Sequence, residues 1–444
     1  MIIPGINIKM NNKKTNNFAI SFENPWLVLM MIIVAGFLVY SNIFHSAFHM
    51  DDEDSIVKNI SIRQLNDLGA IWSYAPTRFM TYFTFALNYH LGGLDVFGFH
   101  FFNFCVHILS ALMLWRLIRH LWASPVLRGN SLRPYGHAIA SMTALIFVCH
   151  PLQTGAVTYI AQRGTCLAGF FYLMAMFFYL HSVLESKNRS IFYGMSLAAA
   201  CFSFFTKENS VSLPISIACL DWIFLHGKEE KKLGIKRVLP FFLLALTIPL
   251  ACITNPSLNW KYLTFAGESA AHPAAADYLA TQFRVLITYL RLLVFPLNQN
   301  LDYDYRISST FFEFGVFFGI SITAFLLIAA WRSVKKFPIP AFCIFWFFIM
   351  LIPESSIFPI SDVIFEHRLY LPIAGFSLLL TTVLFGLKNK KITASILWVI
   401  IIIFSILAYS RNEVWRSELS LWSDTVKKSP NKARTYLARG MAYN

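Results

Sequence analysis

Residues 48–54 read Phe48-His49-Met50-Asp51-Asp52-Glu53-Asp54 and directly follow the first long apolar run of the chain, 26–44. Four acidic side chains therefore stand against a segment of membrane-spanning length, in a chain that is otherwise poor in acids. Carboxylates held at a membrane surface are costly unless they bind, pair or react. We take this acidic cluster, 51–54, as the centre of the candidate functional site.

The composition is typical of a polytopic membrane protein. Of the 444 residues, 57% are hydrophobic and only 14% are charged, and the mean hydropathy is +0.56, well outside the range of soluble domains. The run 26–44 is long enough to span a bilayer and predicts an uncleaved signal anchor. The seven cysteines lie in or beside apolar runs without paired spacing, which favours buried hydrophobes over a disulfide or zinc framework.

The apolar runs alternate with polar loops in a way that predicts about eleven transmembrane helices. The runs lie near 26–44, 99–118, 137–150, 164–184, 190–206, 209–225, 238–254, 311–330, 337–352, 369–387 and 392–410. Lysine and arginine clusters then fall on one side, so the net charge of +14 indicates membrane orientation and not nucleic-acid binding. The positive-inside rule places the N-terminus in the cytoplasm and the C-terminal tail outside.

This alternation divides the chain into a cytoplasmic segment at 1–25, a transmembrane domain at 26–410 and an outer tail at 411–444. The transmembrane domain carries outer loops at 45–98, 255–310 and 353–368. The segment 283–295 contains Arg284 and Arg291, and we interpret it as a re-entrant or interfacial helix. In the tail, the spacing of Trp415, Leu419 and Trp422 predicts one helix, followed by a second from Ala433 onward.

Asp51 and Asp52 are the leading candidates for chemistry. Because they are adjacent, they cannot point the same way on a helix or an extended loop. One carboxylate is therefore expected to react, while the other pairs with a cation or with the backbone. The alternative is a solvated acidic turn, but acids contribute little to membrane orientation.

Cations gather at the outer ends of the apolar runs. Taken singly, each cation is more simply interpreted as an interfacial anchor whose charged end extends to the membrane surface. Together, the cations predict an electropositive pocket suited to a lipid-linked phosphate. They are Arg78, Arg163, Lys207, Arg284, Arg291 and Arg368. Two neighbouring pairs are ambiguous: His150-Pro151 is either a capped helix end or functional, and Lys207-Glu208 is either a self-neutralising turn or a fixed functional ion pair. No phosphate-binding glycine loop, GxSxG or HExxH motif is present, which argues against the nucleotide folds and hydrolases that carry them.

Several ordered segments resemble the transmembrane and tetratricopeptide-repeat family of GT-C glycosyltransferases, relatives of the protein O-mannosyltransferases. Three are short: Asp51-Asp52, His150-Pro151 with Arg163, and Lys207-Glu208. Three are longer: Phe85-Ala-Leu-Asn-Tyr-His-Leu-Gly-Gly-Leu-Asp-Val-Phe-Gly-Phe-His100, Tyr289-Leu-Arg-Leu-Leu-Val-Phe-Pro-Leu-Asn298 and Glu366-His-Arg-Leu-Tyr-Leu-Pro372. The tail resembles the start of a tetratricopeptide array. Because such arrays need about three units, the tail is expected either to be truncated or to pack on another surface.

The resemblance implies an all-α GT-C fold and an inverting transfer of a sugar, usually mannose, from a polyprenyl phosphate to a Ser or Thr hydroxyl. It implies Asp51 or Asp52 as general base. The residues expected at the lipid phosphate are Arg368, Arg163, Lys207, Arg291 and Arg78. Supporting roles would fall to His150, Glu208, Glu366 and His367. A magnesium or manganese ion bridging Asp51 or Asp52 to the phosphate is compatible with these ligands but not demanded by their spacing.

The expected partners are the polyprenyl-phosphate sugar, a secreted or membrane protein acceptor and membrane lipids, with no nucleic acid. The expected location is a bacterial inner membrane with a periplasmic active face, or the endoplasmic reticulum membrane. Two other classes remain open: a GT-C transferase with a lipid or glycan acceptor, and a lipid or solute transporter. A transporter would place ionisable residues near mid-membrane and show inverted repeats, whereas these span centres are nearly free of charge.

Overall fold

The structure is a computed structural model that describes residues 22–185, 187–225, 234–254, 273–356 and 359–443. Within these ranges every regular element is helical, which confirms the all-α class. The α-helices are α1 (Pro25–Tyr40), α2 (Leu68–Tyr74), α3 (Phe79–Gly92), α4 (Val96–Leu121), α5 (Gly136–Cys149), α6 (Thr154–Val157), α7 (Arg163–Leu184), α8 (Arg189–Phe204), α9 (Leu213–Leu220), α10 (Ile235–Ala245), α11 (Thr247–Thr254), α12 (Ala275–Val294), α13 (Phe314–Ser333), α14 (Pro338–Leu351), α15 (Tyr370–Phe385), α16 (Lys390–Val414), α17 (Glu418–Lys428) and α18 (Ala433–Met441). Most of the expected cytoplasmic segment 1–25, and residues 255–272 of the second outer loop, lie outside the described residues.

Some of the helices that lie at the predicted apolar runs are short or broken. Among the described residues, five helices are long and apolar enough to cross a membrane, or six if the bent pair Arg133–Cys149 and Pro151–Val157 counts as one span. That pair bends by 53° at Pro151, which lacks an N–H to continue the helix. Two further apolar helices, α1 and α14, have only 16 and 14 residues.

The core lies where α4, α5, α7 and α15 pack together. Gly169 on α7 shows how close this contact is, because a Cβ at that position would lie 2.6 Å from the ring of Tyr370. Thr143 of α5 and Thr381 of α15 share a hydrogen bond of 2.8 Å. These contacts hold together the helix ends that carry the candidate site.

The helix expected at 283–295 begins earlier, at Ala275, and runs for 20 residues as α12. It carries Asp277, Arg284 and Arg291 and is not among the helices that are long and apolar enough to cross a membrane. Its Tyr289 hydroxyl donates to the carbonyl of Phe365. This helix therefore packs directly against the third outer loop.

The tail forms two helices, α17 and α18, as expected, but α17 begins at Glu418 and so excludes Trp415, which is the C-cap residue of α16. The expected domain boundary at 410 falls inside α16, which continues to Val414. Both tail helices pack back onto the outer loops: Lys428 Nζ lies 2.7 Å from the carbonyl of Gln299, and Arg434 pairs with Asp302. The surface that the tail was expected to need is supplied by this chain's own loops.

Candidate functional site

A cavity of about 810 Å³ lies where the outer loops meet the ends of α3 and α7. Its wall combines apolar side chains with both signs of charge. The acidic side chains that line it are Asp51, Asp54, Glu208, Glu354, Asp362 and Glu366. The basic ones are Arg78, Lys207, His367, Arg368 and Arg434. The structure thus brings together seven residues that the sequence analysis singled out: Asp51, Arg78, Lys207, Glu208, Glu366, His367 and Arg368.

Asp51 and Asp52 divide as the adjacency argument predicts. Asp51 is exposed and lines the cavity, and its backbone N–H donates to the hydroxyl of Tyr159 at 2.9 Å. Asp52 is fully buried, and its two carboxylate oxygens accept the backbone N–H groups of His49 at 2.8 Å and Ala161 at 2.6 Å. Asp52 therefore joins two loops, and Asp51 is the carboxylate that a substrate can reach.

Burial has a clear electrostatic consequence for Asp52. It raises the pKa of the Asp52 carboxyl well above its usual value, although the N–H groups of His49 and Ala161 oppose the shift. Burial likewise raises the pKa of the Tyr159 hydroxyl, and the nearby charge of Asp51 adds to the shift. Both groups favour their neutral forms more than exposed ones do.

Lys207 and Glu208 do not neutralise each other but pair with distant residues. Glu208 Oε1 accepts from the Thr77 hydroxyl at 2.7 Å and from Arg78 Nε at 3.0 Å. Lys207 Nζ is 2.8 Å from the Thr165 hydroxyl and 3.6 Å from Glu354 Oε1. Burial lowers the pKa of Lys207, while Glu354 opposes that shift. The turn thus links the cavity wall to three other segments.

The third outer loop ends in a 3₁₀ turn, Glu366–Leu369, whose two charged side chains are both buried. Glu366 accepts from the Asn300 N–H and the Tyr303 hydroxyl, each at 2.6 Å, and so holds the second outer loop. Arg368 donates to the carbonyls of Val363 at 3.0 Å and Asp362 at 2.9 Å. The guanidinium of Arg368 keeps further N–H groups beyond these two bonds.

Three residues expected near the phosphate or in support lie away from the cavity wall. Arg163 is fully buried and donates to Asn103 Oδ1, the Thr84 carbonyl and the Phe99 carbonyl, at 2.8, 3.0 and 3.0 Å. His150 is buried: its Nε2 lies 3.1 Å from the Leu293 carbonyl and its Nδ1 accepts the Leu152 N–H. Arg291 is exposed and donates to the Leu297 carbonyl. His150 thus caps a turn, the simpler of the two interpretations left open by the sequence.

Several cavity residues escaped the sequence analysis. Glu354 and Asp362 lie in the third outer loop without a surrounding motif, and Asp54 was named only as a member of the acidic cluster 51–54. Arg434 comes from α18, more than sixty residues after the loop it contacts: its guanidinium bonds Asp302 at 2.6 Å and Asp362 at 2.8 Å. The sequence hint for this contact is that Asp302 and Asp362, in the second and third outer loops, are acidic and the tail carries basic residues.

A divalent ion held by both Asp51 and Asp52 does not fit this geometry. Both oxygens of Asp52 are occupied by backbone N–H groups, and the side chain is fully buried. Asp51 and Asp54, both on the wall, are the acids of the 51–54 cluster that could hold magnesium or manganese there.

No protein-family model matches the chain, but curated relatives are similar over most of it. A protein O-mannosyl-transferase of Caenorhabditis elegans is 26% identical, over 93% of this chain and 59% of the relative. Protein O-mannosyl-transferase TMTC4 of Mus musculus is 23% identical, over 93% of this chain and 63% of the relative, and human TMTC3 is 23% identical, over 89% and 47%. The resemblance expected from the motifs is confirmed. The chain spans roughly half to three fifths of the length of these relatives.

Two solved membrane-enzyme structures also align over most of the chain, each with a TM-score of 0.47. One is the oligosaccharyltransferase of Archaeoglobus fulgidus tethered to an acceptor peptide, with 11% identity, covering 88% of this chain and 56% of that one. The other is ArnT of Cupriavidus metallidurans bound to undecaprenyl phosphate, with 13% identity, covering 90% and 69%.

Proposed function

We propose that this chain is a multi-pass membrane glycosyltransferase that moves a sugar, mannose, from a polyprenyl phosphate to a Ser or Thr hydroxyl of a protein on the non-cytoplasmic face. The observation that carries the proposal is the cavity itself, where the reachable carboxylate of Asp51 shares one wall with Lys207 and Arg368. The similarity to proteins named protein O-mannosyl-transferases supports the reaction class.

Asp51 is the general base in this proposal. Its carboxylate accepts the proton of the acceptor hydroxyl while the hydroxyl oxygen attacks the anomeric carbon of the donor. The new glycosidic bond forms as the bond from the anomeric carbon to the phosphate oxygen breaks, and the lipid phosphate departs from the opposite face, which inverts the configuration. The exposed position of Asp51 allows an acceptor chain to approach it.

Lys207, Arg368 and Arg78 stabilise the departing phosphate. Negative charge grows on the phosphate oxygens as the bond breaks, and fixed cations beside those oxygens favour that charge. Each of these cations is held in place by other groups of the protein. Lys207 contacts Thr165 and Glu354. Arg368 donates to the carbonyls of Asp362 and Val363, and Arg78 donates to Glu208. They are therefore oriented before the donor binds.

The apolar part of the wall accommodates the first isoprene units of the donor. Phe85, Val211 and Ile248 contribute to it, and Val211 is exposed. An apolar wall continuous with a charged one suits a molecule that joins a prenyl chain to a phosphate. The membrane itself would be a bacterial inner membrane or, in a eukaryote, that of the endoplasmic reticulum.

The proposal is tested with the purified full chain in proteoliposomes, supplied with polyprenyl-phosphate mannose and a set of Ser- and Thr-containing peptides. Intact-mass measurement is expected to show hexose-sized increments with the wild type and none with Asp51→Asn, while the neighbouring Glu53→Gln control remains active. Transfer to lipid or glycan acceptors in place of peptides would reassign the acceptor. Equal transfer by the wild type and Asp51→Asn would refute the assignment of the base.

A further inference from the structure

A second cluster of ligand-type side chains lies far from the cavity. His120, His181 and Glu185 place one ligand atom each within 4.8 Å of the others. His120 is in the last turn of α4, His181 is in the last turn of α7, and Glu185 directly follows α7. Thr165, on the cavity wall, precedes His181 by 16 residues on the same helix, which amounts to about 24 Å at 1.5 Å per residue. The cluster is therefore independent of the proposed transferase site.

Helix geometry brings the three groups together. Glu185 is the C-cap residue of α7, and its backbone N–H donates to the His181 carbonyl, which keeps the two residues adjacent. Because α4 packs along α7, His120 is delivered to the same place. His181 Nδ1 lies 2.8 Å from His120 Nε2.

The two imidazoles need only a small movement to share an ion. Two nitrogens that each lie about 2.1 Å from zinc at a tetrahedral angle are about 3.4 Å apart. The rings would therefore separate by about 0.6 Å, within the reach of side-chain rotation. Without an ion, one ring must donate and the other accept, whereas a bound ion uses the lone pairs of both nitrogens.

The surroundings orient the rings but leave the cluster accessible. The ring of Phe192 meets that of His181 edge-on with centroids 4.1 Å apart, and Phe177 meets His120 at 5.6 Å. Both histidines are half-buried and Glu185 is exposed. The nearby guanidinium of Arg119 lies over the Trp115 ring at 4.7 Å, while the carboxylate of Glu185 supplies negative charge to offset it.

We propose that His120, His181 and Glu185 bind a transition-metal ion of the zinc class and so clip the end of α4 to the end of α7. Two imidazoles and one carboxylate are ligands that suit zinc, cobalt and nickel, whereas magnesium and calcium prefer all-oxygen sites. A clip at this position stabilises the helix pair whose opposite end carries part of the cavity wall.

The test uses the full chain, purified in detergent with an affinity tag that contains no histidine and then stripped with a chelator. Titration with cobalt is expected to give one equivalent bound and visible ligand-field absorption. Saturating zinc is expected to raise the unfolding midpoint by about 2–4 °C, since an ion that binds only the folded state stabilises it. His90→Ala removes an exposed histidine elsewhere and should leave both signals unchanged.

Glu185→Gln is the decisive variant because its side chain is exposed and its loss does not disturb the core. It should weaken zinc binding by at least about tenfold, and His120→Ala with His181→Ala should abolish the cobalt spectrum. Absence of stoichiometric binding by the wild type overturns the proposal. So does a Glu185→Gln protein with unchanged affinity and spectrum, which would show that Glu185 is not a ligand of the ion.

Discussion

Arg78 and Glu208 are 130 residues apart in sequence, yet Arg78 Nε lies 3.0 and 3.1 Å from the two carboxylate oxygens of Glu208. The pair ties the segment before α3 to the turn after α8. Burial alone would raise the pKa of Glu208, but the charge of Arg78 and the bonds from Arg78 and Thr77 outweigh it and lower the pKa. The contact is therefore stabilising while Glu208 is ionised.

Replacing Arg78 with Gln is expected to reduce stability at pH 7 by about 1 kcal/mol, because the guanidinium is partly exposed to screening solvent. A carboxyl with a lowered pKa stabilises the fold above its unfolded value of about 4.3 and loses that contribution as the pH falls through the folded pKa. The deficit of Arg78→Gln relative to the wild type should therefore shrink below about pH 4. Unfolding midpoints measured from pH 7 to 3.5 check this. Lys58→Gln, which breaks an exposed pair with Glu53, is the control and should show no comparable effect.

Asp51 and Asp52 should respond differently to the same substitution. Asp51→Asn is expected to lower the rate of sugar transfer by about 10²-fold or more without moving the unfolding midpoint. Asp52→Asn leaves a backbone N–H of His49 or Ala161 facing an amide NH₂, and should cost about 1–3 kcal/mol of stability. Transfer rates and unfolding midpoints measured on both variants separate the two effects. A catalytic loss confined to Asp52→Asn would reverse the assignment.

Substitutions of Arg368 and of Arg163 should affect different properties, donor binding in the first case and stability in the second. Arg368→Gln is expected to raise the KM for the lipid donor about tenfold or more, because a cation at the phosphate is lost, with partial recovery in Arg368→Lys. Arg163→Gln leaves buried acceptors at Asn103, Thr84 and Phe99 without their donor, and should cost on the order of 3 kcal/mol or more. Donor titrations and folded yield after detergent extraction provide the measurements. An Arg163→Gln protein that folds normally but binds the donor weakly would contradict this division.

Arg434 should hold the tail onto the outer loops. Asp302 is nearly buried, with a side chain 2% exposed, and pairs with Arg434 and Lys432. Arg434→Ala is expected to expose 415–443 to limited proteolysis several-fold faster, since it leaves Asp302 buried with one partner fewer. Lys427→Ala removes the same charge from an exposed position of α17 and serves as the control. Equal cleavage rates in the two variants would show that the ion pairs of Arg434 do not hold the tail.

Much of the architecture is readable from the sequence. Apolar run lengths predict the membrane helices, and the three-residue spacing of Leu419 and Trp422 predicts α17, because both signals depend on neighbours within a few turns. Trp415, which shares that spacing, instead ends α16. The helix count is less predictable. Breaks such as the bend at Pro151 depend on how adjoining helices satisfy the backbone groups that the break exposes.

The sequence by itself also determined that one of Asp51 and Asp52 must turn away from the other, since adjacent side chains diverge. Only the tertiary structure decided which residue turns away. The carboxylate of Asp52 accepts the N–H groups of His49 and Ala161, whereas Asp51 lines the cavity. In the same way, no local pattern could pair Lys207 with Glu354 or Arg434 with Asp302, because those contacts join segments far apart in the chain. The sequence shows where each charged residue lies along the chain, but the residue with which it pairs depends on how distant segments pack together.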